Sequence, residues 1–256
     1  MRILLVNDDG IEAEGLQAAY RALVAAGHDV LACAPDGERS ASSHSVNLRS
    51  PIAVRRLRMP DGKDGWAVSG TPADSARLGI ELFADPPFDM VVSGINNDTN
   101  LGFDVNYSGT VGAALEAAGA ALPAVACSAE KSLPFRWERD GKILADVAAC
   151  LASWDVPPGV IVNLNIPASI SSPDYAWCPG NSRAARETYA KTESSPGRFE
   201  CSRMRESVPP VSDPGSDIDL FSKGRVTLTP VRPAGTDPAA LERLLKGRPP
   251  SLPAFA

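Results

Sequence analysis

Short apolar runs recur along this chain: Ile3–Val6, Val30–Ala34, Met90–Val92, Ala124–Cys127 and, broken only by Asn163, Val160–Leu164. A strand with one wet face alternates apolar and polar residues. An unbroken run belongs to a strand covered on both faces. Such strands need helices above and below the sheet, and helical patterns lie between them. Leu16, Ala19, Tyr20, Leu23 and Val24 share one face at i, i+3, i+4, i+7, i+8 spacing, and Gly27 is a natural stop. Strand, helix, strand within about 30 residues is a βαβ unit, with parallel strands and a right-handed crossover. Thr71-Pro72 opens a second helix running to about Phe83, with proline in its favoured first position. Further helices are expected from about Thr110 to Gly119 and from Ile143 to Leu151. Ile52–Arg56 and Trp66–Val68 read as short strands around a turn at Pro60-Asp61-Gly62. The alternation through residue 166 predicts an α/β fold with a doubly wound, mainly parallel sheet.

From about residue 168 the character changes. Proline and charge rise, and helical periodicity is lost through residue 216. A structureless stretch of that length is uncommon inside a compact domain, so it is expected to be an arm, a lid or an interface segment. Beyond it, Leu220–Phe221 and Val226–Thr229 are expected to pair as a hairpin around Lys223-Gly224. Thr236 is expected to cap a last helix, Pro238–Lys246, followed by a frayed tail at Pro249–Ala256.

Composition limits the chemistry. Lys and Arg number 25 against 31 Asp and Glu, a net charge of -6. That leaves no broad basic footprint for polymeric nucleic acid. An anionic small molecule would need a local attractor such as a metal. The only histidines are His28 and His44, which excludes a metal held by two or three histidines. Any metal must be held by oxygens. Five cysteines (Cys33, Cys127, Cys150, Cys178, Cys201) contain no C-x-x-C pair and do not suggest a disulfide framework. Cys33, Cys127 and Cys150 read as small buried hydrophobes. No apolar run approaches the roughly 18 residues of a membrane span. The N-terminal run breaks at Asn7, too early for a signal peptide. A cytoplasmic location is expected.

Open parallel sheets bind ligands at the carboxyl ends of their strands. The polar residues just beyond those ends are Asn7, Asp8 and Asp9; Glu38, Arg39 and Ser40; Gly70 and Thr71; Ser93, Gly94 and Asn96. The loop further on adds Asn100, Asn106, Tyr107, Ser108, Gly109 and Thr110. Neighbouring carboxylates at Asp8 and Asp9 repel each other unless a cation sits between them. Oxygen ligation suits Mg²⁺, Mn²⁺ or Ca²⁺, and Ser40 and Asn96 are candidates to complete the donor set. The competing reading is a plain turn, because Asp9-Gly10 is a common turn dipeptide. Ser108-Gly109-Thr110-Val111-Gly112-Ala113-Ala114 runs into a helix with unshielded backbone N–H groups, an arrangement that binds phosphate. Its plainer reading is a Ser cap on an Ala-rich helix. Neither G-x-G-x-x-G after the first strand nor G-x-x-x-x-G-K-[ST] is present. His44 reads equally as an acid, a substrate contact or a loop residue. His28 reads as a solvated residue at a helix end.

These segments, taken in order, resemble a known family. Asn7-Asp8-Asp9-Gly10-Ile11, Ala34-Pro35-Asp36 with Glu38-Arg39-Ser40, Gly70-Thr71-Pro72-Ala73-Asp74, Ser93-Gly94-Ile95-Asn96 and Tyr107–Ala114 are similar to the motifs of the SurE survival-protein family of metal-dependent 5′/3′-nucleotidases. The likeness is tight over residues 1–130. It resumes at Asn163–Pro167 and from Gly215-Ser216-Asp217 to Pro230. The resemblance implies a Rossmann-like core over residues 1–167, a protruding β-rich arm and hairpin over 168–230, and a C-terminal helix and tail over 231–256. It implies one divalent cation per subunit (Mg or Mn foremost, Ca also compatible) on Asp8, Asp9, Ser40 and Asn96. Asn96, Ser108, Gly109, Thr110, Gly70, Thr71 and His44 are then the expected phosphate or substrate contacts. The implied substrates are nucleoside 5′- and 3′-monophosphates and short polyphosphate. The implied assembly is a homodimer or homotetramer joined through the arm. In the implied reaction the cation polarises the phosphate and acidifies a water that attacks in line. Asp8 or Asp9 takes its proton, and the Ser108–Thr110 groups stabilise the charge. One departure is visible: after Asn96 the family usually carries x-Gly-x-Asn, and here Asp98 stands in place of the glycine. Its carboxylate would repel a phosphate or add an outer contact to a metal, and its backbone would have to supply any positive φ the glycine served. The alternative reading is a receiver-like phospho-switch built on the same acidic pair. That needs about half this length and an acceptor Asp where Ser93-Gly94 stands. A haloacid-dehalogenase-type phosphatase needs Asp-x-Asp, and a sugar-nucleotide transferase needs an activated donor.

Overall fold

The computed structural model describes residues 1–151, 153–172, 174–184, 188–204 and 211–233. Its centre is a nine-stranded sheet in the order β3-β4-β2-β1-β5-β6-β7-β11-β8. These are β1 (Arg2–Val6), β2 (Asp29–Pro35), β3 (Val54–Arg58), β4 (Asp64–Val68), β5 (Met90–Asn96), β6 (Ala124–Ala129), β7 (Ile161–Ile166), β8 (Ala176–Trp177) and β11 (Thr227–Val231). The run from β4 to β7 is parallel, β3 is antiparallel to β4, and β11 is antiparallel to β7 but parallel to β8. The apolar runs are therefore the central strands, as their lack of alternation requires. In β1, Ile3 and Leu5 enter one core with Leu16, Tyr20, Leu23 and Leu144. Leu4 and Val6 enter the other with Ala76, Val111 and Ala114. Helices α1 (Glu14–Ala25) and α4 (Trp137–Leu151) supply the first layer, and α2 (Pro72–Leu82) and α3 (Gly109–Gly119) the second.

The structure differs from the sequence reading in several places. Ser93-Gly94 does not close β5; the strand continues to Asn96 through a register shift against β6. This irregularity keeps Asn96 on the sheet, where strand pairing fixes it, rather than in a loop. Helix α4 starts at Trp137, ahead of Ile143, because Glu138 to Lys142 carry charges that hide its period. Residues 217–222 are not a strand of a hairpin but helix α5 (Asp217–Ser222). Ser216 caps it by accepting from the Asp219 N–H, and Asp217 and Asp219 suit its positive end. Cys150 is exposed, not buried, and all five cysteines are free. The last helix read at Pro238–Lys246, and the tail, lie outside the described residues.

Within the segment that resisted a reading, β9 (Tyr189–Ser195) and β10 (Arg198–Arg203) form a separate antiparallel hairpin. Every residue of both strands is exposed. The hairpin pairs with no other described strand, and Lys191 lies over the Phe199 ring at 3.5 Å.

Candidate active site

The site follows from strand order. Between β2 and β5, β1 is the strand at which connections turn to opposite sides, and the crevice beyond its carboxyl end is where such sheets bind ligands. Asn7 leaves β1 fully buried. Its side chain donates to the Gly10 carbonyl at 2.9 Å and accepts from the Gly10 N–H at 3.2 Å, closing a turn that presents Asp8 and Asp9. The Arg39 N–H donates to the Asp8 carbonyl at 2.7 Å, so the loop after β2 is fastened to the same turn. The Asn97 N–H, just past β5, donates to Asp9 Oδ2 at 3.2 Å.

Asp8, Asp9, Glu38, Ser40, Asn96 and Ser108 line one open cavity of about 790 Å³. Asp8 is only 4% exposed. Burial pushes its carboxyl up, opposed by hydrogen bonds from the Thr110 side chain and backbone. Burial and then the Asp8 charge push Asp9 up to about 6. Glu38 adds repulsion to both. Among the described residues no lysine or arginine forms an ion pair with either carboxylate. Crowded carboxylates without a cationic partner fit a hard divalent ion. Ser40 donates to Glu38 Oε1 at 2.8 Å, and Asn96 donates to the Asp98 carbonyl at 2.6 Å, which leaves the Asn96 Oδ1 as a donor atom to a cation. These residues have the oxygen chemistry that would hold such an ion.

Helix α3 is turned toward Asp8. The Thr110 hydroxyl donates to Asp8 Oδ1. Ser108 caps the helix by accepting from the Val111 N–H at 3.1 Å and also lines the cavity. A Cβ on Gly109 would sit 2.9 Å from the Asp8 Cβ and 2.6 Å from the Ser42 Oγ, so glycine is what permits this approach. Gly109 and Thr110 thus position Asp8.

Five expected contacts do not line this cavity: Gly109 and Thr110 act on Asp8 instead, and Gly70, Thr71 and His44 are held elsewhere. Thr71 caps α2 in a reciprocal capping box with Asp74, and its hydroxyl donates to the Ser45 carbonyl at 2.7 Å. Gly70 packs on Asp74, which also accepts from the Asn47 N–H. Both hold the loop over residues 45–47. His44 lies 2.7 Å from Glu116, which also binds Arg77, on the surface between α2 and α3.

The family of this fold is decided by comparison. The family described as "Survival protein SurE" matches residues 3–187. The chain belongs to the SurE family. Among similar proteins is the "5′-nucleotidase SurE" of Solidesulfovibrio magneticus, 39% identical over 95% of this chain and 96% of that one. Another is the "5′-nucleotidase SurE" of Pelotomaculum thermopropionicum, 37% identical over 96% and 95%. The crystal structure of the SurE protein from Aquifex aeolicus superimposes with a TM-score of 0.81 at 27% identity, covering 96% of this chain and 99% of that one.

As a SurE chain, this one carries its Asp98 without backbone strain. The non-glycine residues with positive φ among those described are Ala41, Ser43 and Ala121. Asp98 instead accepts from the Thr99 N–H and adds a carboxylate to the cavity wall. Ala41, beside Ser40, holds φ at 57°, a conformation that costs a non-glycine residue about 1–2 kcal/mol. Ala41→Gly should therefore raise the melting temperature by roughly 1–4 °C, the gain being reduced by glycine's greater freedom when unfolded. Thermal unfolding in EDTA reads this, and an unchanged or lower midpoint counts against strain at Ala41.

The cavity also holds residues that the sequence reading passed over: Asp104, Lys131, Tyr189 and Arg203. Lys131 follows β6, so the strand-end rule finds it once carried past β5. Tyr189 and Arg203 come from the hairpin, where no local pattern signals a site.

Proposed function

We propose that this chain is a divalent-metal-dependent phosphomonoester hydrolase that removes phosphate from nucleoside 5′-monophosphates, with 3′-monophosphates and short polyphosphate as further substrates. The observation that carries the reading is the crowded carboxylate pair at the switch point of the sheet, with Ser40 and Asn96 lining the same cavity. The naming of its relatives as 5′-nucleotidases supports the same reaction. In this proposal Asp8, Asp9, Ser40 and Asn96 hold one Mg²⁺ or Mn²⁺, Ca²⁺ being the weaker fit. Bound there, the cation supplies Lewis-acid polarisation of the phosphate and lowers the pKa of an adjacent water. Asp9, the more open carboxylate of the pair, accepts the proton of the attacking water. Asp8 is held in place by the Thr110 hydroxyl. Ser108 and the first turn of α3 face the phosphate with a hydroxyl and the positive end of a helix. The products are inorganic phosphate and the nucleoside.

The same reading places the enzyme in the cytoplasm and makes the β9–β10 hairpin, within residues 168–230, an arm shared between subunits of a homodimer or homotetramer, while β8 and β11 of that stretch belong to the main sheet. The wholly exposed hairpin supports the arm, because exposed strands of this length gain stability against a partner. No helix among the described residues is long and apolar enough to cross a membrane.

The test is an assay of EDTA-stripped protein with single metals returned, against 5′- and 3′-nucleotides, p-nitrophenyl phosphate and polyphosphate. Stripping should lower kcat/KM for AMP at least about 100-fold, with Mg²⁺ or Mn²⁺ restoring it. Full activity after stripping, confirmed metal-free by elemental analysis, ends the metal-dependent reading. Stable labelling by acetyl phosphate without turnover would point to the phospho-switch instead.

A further inference from the structure

Two tyrosines line the catalytic cavity from different parts of the chain. Tyr107 stands at the end of the 3₁₀ turn Gly102–Asn106, directly before Ser108. It is 57% exposed and packs edge-on against Phe103, with ring centroids 5.9 Å apart. Its carbonyl accepts from the Ser43 N–H, which fixes the backbone beneath the ring. Tyr189 opens β9 of the hairpin, is 63% exposed, and pairs in register with Arg203 at the end of β10. Tyr189 and Arg203 are thus the root of the hairpin, and both line the same cavity as Asp8 and Asp9.

Large aromatic rings held in water by folded backbone are costly to expose and valuable when covered. Here they flank a cavity of about 790 Å³, within the roughly 300–1,000 Å³ of small-molecule sites. The acidic pair, Ser108 and both tyrosines line the same cavity, so a nucleotide whose phosphate sits at the pair has both rings on its walls. We infer that Tyr107 and Tyr189 form a stacking wall for the nucleobase, and that the hairpin root is in this way part of substrate selection. This rests on the nucleotidase reading above and deepens it. Stacking reads a base by its face, and every base has one. The wall therefore favours purine over pyrimidine monophosphates by overlap area, with little discrimination between adenine and guanine. Arg203, paired with Tyr189, adds a planar cation of the kind that stacks on bases.

The experiment compares AMP with ribose 5-phosphate, which keeps the ester and sugar but has no base. The readout is the ratio of their kcat/KM values in wild type, Tyr107→Ala, Tyr189→Ala and the matching Phe variants. Tyr189→Ala alters an exposed hairpin residue, so the core is spared if Tyr107→Ala misfolds. The wall predicts a wild-type ratio well above one that falls about tenfold in each Ala variant and returns with Phe. A ratio near one in wild type, or one unmoved by both Ala variants, overturns the wall while leaving the hydrolase intact. Wild type that cleaves neither compound overturns the nucleotidase reading, and the wall with it.

Discussion

Asp9→Asn should cost about 1,000-fold or more in kcat/KM for AMP with Mg²⁺ or Mn²⁺, and it should also make the metal-free protein more stable. The first effect follows from removing a charged donor from a cation that supplies several kcal/mol of transition-state stabilisation, at 1.36 kcal/mol per tenfold. The second follows from the crowding seen around the pair. Burial and the Asp8 charge raise Asp9 from its ordinary 3.8 to about 6. The charged form is therefore disfavoured in the folded state relative to the unfolded chain. That penalty is fully present above pH 6 and disappears as pH falls below 4. Its size above pH 6 is on the order of 1–3 kcal/mol, discounted because Asp9 is partly open to water. Asn keeps the shape and drops the charge. In EDTA at pH 8 the variant should melt roughly 3–8 °C above wild type, with the difference shrinking toward zero at pH 4. Added metal should raise the wild-type midpoint and leave the variant nearly unmoved. A variant that retains activity, or that melts below wild type at pH 8, removes Asp9 from the metal site.

How far this site could be read from sequence depends on how locally each residue is placed. Asp8 and Asp9 were legible because they end a buried run, and Asn7 fixes them through a turn only a few residues long. Ser40 and Asn96 were legible by the same strand-end rule, since parallel strands deliver their carboxyl ends to one edge of the sheet. The errors arose where a residue's partner is distant in the chain. Thr71 and Gly70 have the chemistry of a phosphate site, but they serve the start of α2 and the loop over residues 45–47. His44 is drawn off by Glu116, 72 positions away. Asn100 needs the same long view. Its amide and carbonyl lie in a buried network with Ser128, Asn163 and Asn165, which pins the loop after β5 onto β6 and β7. Asp217 closes the last link. It accepts from the Gly102 N–H in that loop and from the Asn181 N–H near the hairpin. The C-terminal segment is thus bolted to the catalytic loop by one buried carboxylate, a tie no spacing rule reveals. The order of strands and helices in the α/β core was legible, because its signal is the period of each run, while the end of β5 and the start of α4 were not. Helix α5 was missed because six residues are too few to show one.

Gly15→Ala should be among the most damaging changes to this fold, although alanine is the better helix former by about 1 kcal/mol. Gly15 lies in the first turn of α1, where the helix crosses the end of β5. A Cβ there would sit 2.0 Å from the Ile95 carbonyl oxygen and 3.3 Å from the Trp137 ring. The carbonyl belongs to a paired strand and cannot rotate away as a side chain would. The helix must therefore lift, and overpacking of this kind costs about 1–3 kcal/mol or more. We expect a net loss of about 2 kcal/mol, a drop of roughly 4–8 °C in melting temperature. The more specific consequence is catalytic. Asp8 and Asp9 lead into α1, while Asn96 ends β5 one residue beyond the crowded carbonyl. Lifting α1 parts the two halves of the donor set. Activity at 20 °C, where the variant is still folded, should fall by about 100-fold. The midpoint for Mn²⁺ activation should rise with it. Gly119→Ala is the control, since nothing lies within 4 Å of a Cβ at that position. If Gly15→Ala melts and turns over like Gly119→Ala, then α1 can shift without disturbing the crevice, and the close helix–strand contact does not set the site.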